Sequence, residues 1–294
     1  MFGVDFSKTF ALVARLDTIR MLLALAAQNA WIIHQMDVKY AFLNGYLEKE
    51  IFVEHLEGFI VQGQEEKVYL LKKTLYGLKQ ASRTWYSMID AHLLNLSCTK
   101  SLIEFALYLR KVNDELLMVS LYIDDLLLTR SNMKQIDTFK REMKNDFEMI
   151  DREKMTFFLV MKVKQNHNEI FIYHHKYAKE ILKMFNMEEC RLTATPMNQN
   201  EKFCKKDRVA KIDEKLYRTL IGCLMYLTTS RLDIMNARSV LSRYMHCTNE
   251  LHFQAVKRIV RYIKGTIDYG LRFCRVKNFI LYGYSNGGPI MLMT

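Results

Sequence analysis

Two adjacent aspartates set between apolar runs constrain this chain more than any other stretch. Leu116, Leu117, Met118, Val119, Ser120 and Leu121 lead into Tyr122-Ile123-Asp124-Asp125, and Leu126, Leu127 and Leu128 lead out. Two short hydrophobic segments joined in this way predict a β-hairpin carrying both carboxylates at its tip. Aspartate also favours turns for reasons of its own backbone, so the pair alone could be no more than a turn. Neighbouring carboxylates repel each other and resist burial, however, and a bound cation is the natural compensation.

Size and charge narrow the setting. The 294 residues suffice for one large domain or two smaller ones, and with 50% of them hydrophobic a substantial core can form. Lys and Arg number 43 against 32 Asp and Glu, a formal net charge of +11, which serves solubility or favours a polyanionic partner, nucleic acid or a membrane surface. The longest apolar candidate, Met21 to Ile33, is interrupted by Gln28 and Asn29 and is too short to span a bilayer, so no membrane partner is expected. Six cysteines are scattered without a Cys-x-x-Cys pair and read as reduced thiols. His174-His175 has no further ligand at metal-binding spacing and reads as a surface pair.

Periodicity along the chain predicts an α+β layout. A helix capped by Asp17 or Thr18 carries an apolar face through Trp31, and Ile32 to Val38 is a strand. Short strands follow near 51–53 and 68–71, then a helix from about Ser82 to Leu96 after the bend at Tyr76-Gly77. Strands at 104–109 and 116–128 precede an amphipathic helix, 132–147, with Ile136, Phe139, Met143 and Phe147 on one face. A hairpin about Asn166-His167-Asn168 and a helix near 176–187 lead to a polar stretch, 193–213, that reads as a linker. Three helices lie beyond, and the last sets Lys257, Arg258, Arg261 and Lys264 along one face, to meet either solvent or a polyanion. Strands at 271–273 and 279–284 read as the start of a new sheet.

A third carboxylate, Asp37, closes the short strand that begins at Ile32. Carboxylates arriving from separate strands can hold a pair of divalent ions about 3.5–4 Å apart, the arrangement that serves phosphoryl transfer. Hard carboxylates favour Mg²⁺, with Mn²⁺ as an alternative.

Gln35-Met36-Asp37-Val38-Lys39-Tyr40-Ala41-Phe42-Leu43-Asn44-Gly45 resembles motif A of copia-type retrotransposon reverse transcriptases. Val68 to Ala81, with Tyr76-Gly77-Leu78-Lys79-Gln80, is similar to their motif B region, and Leu121-Tyr122-Ile123-Asp124-Asp125-Leu126 to their motif C. The likeness continues through 217–231 and 257–270, in the family's order. It implies an RNA-directed DNA polymerase using an RNA or DNA template with its primer and deoxynucleoside triphosphates. It implies Asp37, Asp124 and Asp125 as catalytic metal ligands, joined by the backbone carbonyl of Val38. Phe42 would be a steric gate against a 2′-hydroxyl, and Gly77, Leu78 and Lys79 would line the incoming nucleotide. Tyr122 and the basic helix would meet nucleic acid. The implied fold is a right-hand polymerase: fingers and palm over 1–165, thumb and connection helices over 166–270, and the start of an RNase H-like domain over 271–294.

The departures from the family are informative too. Leu12, Leu56, Ser82 and Leu232 stand where the family usually has Pro, Val160 where it has Gly, Tyr46 where an acidic residue is common, and Asn286 where RNase H has Asp. The proline changes each follow from one C-to-T transition, and only two Pro remain in the chain. The family's upstream fingers segment is expected to be missing before Gly3-Val4-Asp5-Phe6. These features imply a weakened or inactive polymerase without RNase H activity. The alternatives are a non-catalytic nucleic-acid-binding remnant or a nucleotide cyclase-like palm.

Overall fold

The computed structural model describes residues 11–55, 58–59, 62–64, 66–112, 115–130, 133–198, 203–204 and 210–279, and the backbone of 281–285 and 288–292. Leu56, Asn286, the basic pair Lys205-Lys206 and the start at Gly3 lie outside that set. The architecture mixes helices and sheets in two compact units, residues 1–155 and 156–294. The division falls after Met155, ahead of the 165/166 boundary expected from the sequence. Among the described residues no helix is long and apolar enough to cross a membrane.

The first unit begins with α1 (Leu16–Asn29) and β1 (Ile32–Val38), followed by the single turn α2 (Ala41–Asn44) and the two-residue strands β2 (Phe52–Val53) and β3 (Tyr69–Leu70). It continues through α3 (Ala81–Asn95), β4 (Thr99–Lys100), β5 (Leu107–Val112), β6 (Glu115–Tyr122), β7 (Asp125–Arg130), α4 (Met133–Asp146) and β8 (Met149–Lys154). Six strands form one antiparallel sheet in the order β4-β5-β6-β7-β1-β8. Residues alternate between its faces. Met36, Val38, Leu121, Leu126 and Leu128 point to one face and pack with Trp85 and Ile89 of α3 and with Ile136, Phe139 and Met143 of α4. On the other face Ile33, Leu127 and Thr129 meet Ile19, Leu22 and Leu23 of α1. Neither Asp17 nor Thr18 caps α1. Arg15 holds the cap position, Asp17 sits in the first turn, and the Thr18 hydroxyl donates to Glu104 at 2.8 Å.

The second unit holds β9 (Phe157–Phe158), β10 (Met161–Asn166), β11 (Glu169–Tyr173), α5 (His175–Met184), α6 (Glu214–Leu227), a 3₁₀ turn (Leu232–Ile234), α7 (Met235–Ser242), α8 (Glu250–Gly265), β12 (Gly270–Cys274), β13 (Leu281–Ser285) and β14 (Gly288–Leu292). Its helices bury one shared core, with Ile181 of α5, Leu220 and Leu224 of α6, Leu241 of α7 and Ile259 of α8 fully covered. Asp213 caps α6 through the Lys215 N–H and Asn249 caps α8 through the His252 N–H.

Three expectations change here. Residues 270–274 do not begin a new sheet: β12 pairs along β11 in the order β12-β11-β10-β9. The approach is close at Gly270, where a Cβ would lie 2.0 Å from the Ile172 carbonyl oxygen, so only glycine fits. The polar stretch is tied to α8 where it is described, with the Thr193 hydroxyl donating to the Arg258 carbonyl at 3.3 Å and Lys211 bridging to the α8 cap Asn249. His174 is buried rather than superficial, with Nδ1 2.5 Å from Ser230 Oγ, while the half-buried His175 pairs with Asp268 at 2.7 Å. None of the six cysteines forms a disulfide.

Candidate functional site

The register of β1 against β7 sets Asp37 directly opposite Asp125. Opposed residues of an antiparallel pair share a face, with Cα atoms about 4.5–5.5 Å apart. Asp37 and Asp125 are half-buried at the end of the sheet away from Ile33 and Thr129, where α1 packs. Gln35, two residues before Asp37 and so on the same face, donates from Nε2 to Asp125 Oδ1 at 2.8 Å. The third carboxylate comes from the β6–β7 turn. Tyr122 pairs with Asp125, leaving Ile123 and Asp124 as a two-residue loop. Ile123 takes φ of 57°, a conformation that a β-branched residue adopts only under constraint. Two hydrogen bonds supply that constraint: Trp85 Nε1 donates to the Ile123 carbonyl at 2.7 Å and the Val38 N–H donates to the Asp124 carbonyl at 2.9 Å.

Electrostatics mark the same place. Burial pushes the Asp124 carboxyl above its ordinary range, and Asp37 adds to the rise. Burial raises Asp125 as well, with Asp124 and Asp37 adding to the rise and the Gln35 bond opposing it. Partial burial raises the Tyr76 phenol, and the charges of Asp124 and Asp37 add to the rise. Arg152 of β8 donates to Asp37 Oδ2 at 2.5 Å. Among the described residues, no group of three or more His, Cys, Asp or Glu side chains converges closely enough to hold a metal ion. The donor chemistry nevertheless suits a hard divalent cation, because Asp37 opposes Asp125 across the strands, Asp124 precedes it in the turn, and burial and neighbouring charge disfavour Asp124 and Asp125 as anions.

The other residues singled out in the sequence take varied settings within their own units. The Val38 side chain is in the core. Phe42 is half-buried against the same core and meets Tyr76 with ring centroids 5.0 Å apart. Gly77 takes φ of 94° in the bend before α3, with Leu78 half-buried and Lys79 exposed. Tyr122 is half-buried. In the second unit the basic residues of α8 share a side but not a state. Lys264 Nζ donates to the Cys190 carbonyl at 2.9 Å, Arg258 donates to Thr195 Oγ1 at 3.0 Å, Lys257 stands 4.3 Å from the centre of the Phe253 ring, and Arg261 is half-buried. Gln35, Tyr76, Trp85 and Arg152 were not singled out from sequence. The alternation of β1 already puts Gln35 on the face of Asp37, whereas nothing in the sequence aims Arg152.

A family model for reverse transcriptase (RNA-dependent DNA polymerase) matches residues 1–199. The chain belongs to the reverse transcriptase family. It is of the copia type. It is 31% identical over 284 residues, 97% of the chain, to the retrovirus-related Pol polyprotein from transposon RE1 of Arabidopsis thaliana. It is 34% identical over 294 residues to that from transposon TNT 1-94 of Nicotiana tabacum. The matches cover 19% and 22% of those two polyproteins, so this reverse transcriptase domain spans about a fifth of the length of the curated relatives it matches. A putative transposon Ty5-1 protein of Saccharomyces cerevisiae is 28% identical over 240 residues, covering 78% of that protein.

Proposed function

We propose that this domain catalyses RNA-directed DNA synthesis, extending a primer on an RNA or DNA template with deoxynucleoside triphosphates. The observation that carries the reading is the cross-strand pair Asp37–Asp125, with Asp124 in the adjoining turn, at the end of the sheet away from where α1 meets Ile33 and Thr129. Asp37, Asp124 and Asp125 would hold two divalent ions, Mg²⁺ or Mn²⁺, with the Val38 carbonyl contributing. Such ions activate the attacking oxygen and stabilise the leaving one.

The chain's own residues then position the reactants. Gln35 orients Asp125, while Trp85 and the Val38 N–H fix the turn that presents Asp124. Phe42, backed by Tyr76, is the volume that a 2′-hydroxyl would strike. Gly77, Leu78 and the exposed cation Lys79 would border the nucleotide, and Tyr122 the primer end. On this reading the first unit supplies the palm and fingers of a right-hand polymerase and the second its thumb and connection, with an RNase H-like start at the C-terminal strands.

The rival reading, a nucleic-acid-binding remnant without catalysis, draws on the ion pair that occupies Asp37. Primer extension with Mg²⁺ separates the two. Polymerisation lost on Asp124→Asn, with ribonucleotide incorporation gained on Phe42→Ala, supports the polymerase. Duplex binding without extension supports the remnant. A weakened enzyme extends faster once Gly is restored at 160 and Pro at 82; equal rates refute the weakening.

A further inference from the structure

Strand β8 carries a defect where it passes the carboxylates. Ile150 faces Asp37 and Asp151 faces Met36, yet the next pairing is Lys154 with His34, so Arg152 and Glu153 together stand against the single residue Gln35. That is a β-bulge, a device that re-aims a side chain. Glu153 takes φ of 54°, unusual for a residue other than glycine. The bulge is braced: Asp151 accepts from the Glu153 N–H at 3.0 Å, from Lys140 Nζ at 2.8 Å and from Lys144 Nζ at 3.3 Å. Its outcome is the Arg152 guanidinium on Asp37 Oδ2, at the open edge of the sheet. The Arg152 side chain is 51% exposed and that of Asp37 21%, so the guanidinium can swing into solvent without unpacking the core.

We infer that Arg152 competes with divalent ions for Asp37: its guanidinium takes the Asp37 Oδ2 edge, and ions that use Asp37 together with Asp124 and Asp125 must displace it. The inference rests on the proposal that these carboxylates bind metal. A guanidinium offers one charge and directional N–H donors, and it satisfies one carboxylate edge at a time. It therefore bonds Asp37 and reaches Asp124 and Asp125 only through space, whereas a divalent ion supplies twice the charge and is ligated from several directions. Arg152 acts as a positioning residue, setting the metal concentration at which the site assembles.

The test is Mn²⁺ binding to the full chain, read by the spectroscopic signal of the free ion and, separately, by metal-induced thermal stabilisation. Arg152→Gln is expected to tighten Mn²⁺ binding about tenfold, equivalent to about 1.4 kcal/mol. Arg152→Lys, which keeps the charge, should stay near wild type. Lys39→Gln removes an equal charge from a lysine that pairs with Glu148 at 2.6 Å rather than with Asp37, and should shift binding far less. Should Arg152→Gln leave affinity unchanged, or Lys39→Gln raise it equally, the displacement idea fails while metal binding stands. If wild type and Asp37→Asn bind Mn²⁺ alike, the ions lie elsewhere, and both this inference and the metal site beneath it are overturned.

Discussion

Replacing Val160 with glycine should stabilise the second unit. Phe158 pairs with Met161, so Leu159 and Val160 are the whole loop between β9 and β10. Their φ angles are 47° and 63°. Positive φ at both central residues defines a type I′ turn, which suits Asn-Gly and is among the worst settings for a leucine followed by a β-branched residue. A side chain in the left-handed region costs about 1–2 kcal/mol, and valine belongs near the upper end because its branched Cβ crowds the carbonyl. Glycine returns about 0.5–1 kcal/mol of that through its freer unfolded chain. Val160 is 47% exposed, so little packing is lost. The net gain is about 1 kcal/mol, or about 2–4 °C in melting temperature for a chain of this size. Urea denaturation reads it directly. Lys162→Gly, in the exposed register of β10, carries the same entropic loss without the relief and should destabilise. If Val160→Gly is neutral or moves in the same direction as Lys162→Gly, the strained turn is refuted.

Three other outcomes follow from the same physics. Burial and neighbouring charge raise the Asp124 carboxyl in the fold, so its contribution to stability falls as pH rises through that raised value. Asp124→Asn should therefore stabilise the fold at pH 7 in chelator, lose that gain below the ordinary carboxylate range, and abolish polymerisation. Burial depresses His174 to about 4, so the unfolded chain binds a proton that the fold refuses. Stability should drop by up to about 3 kcal/mol as pH falls from about 6.5 towards 4, and His174→Asn should flatten that slope in pH-dependent denaturation. Lys257→Ala should reduce duplex affinity and lower its logarithmic salt slope by about 1, whereas Lys264→Ala, which breaks the bond to the Cys190 carbonyl, should mainly lower stability, by about 1 kcal/mol.

The elements that sequence made legible are those whose signal is local. The period of Ile136, Phe139 and Met143 is the buried face of α4, continued by Phe147 just past its end, and the predicted hairpin forms at the Asp-Asp pair, with Asp124 in the β6–β7 turn and Asp125 opening β7. What sequence hid was set by distant partners. Strand β8 reads Met-Ile-Asp-Arg-Glu-Lys, rich in residues that strands avoid, and it exists because it pairs with the already fixed edge of β1. Strand β12 looks like a beginning because its partner β11 lies far back in the chain. His174 looks superficial beside His175, yet it turns inward to Ser230 and Thr229 at the end of α6, a choice that adjacent identical residues cannot announce.

The same contrast separates two kinds of strain. Ile123 and Glu153 both hold positive φ, and each is braced by named bonds: the first by Trp85 and Val38, the second by an aspartate that two lysines grip. Both present a charged side chain to the face of Asp37, the first through Asp124 beside it and the second through Arg152. Strain that is over-determined by its surroundings and aims charge at one place belongs to the site. The strain at Val160 lies in an exposed two-residue turn and aims an apolar side chain at solvent. The departure from the family's glycine accounts for it, and the opposite responses expected from substitution follow. Relieving Val160 should stabilise the second unit and leave the carboxylates as they are. Relieving Glu153 with glycine should loosen the bulge and free Asp37 from Arg152.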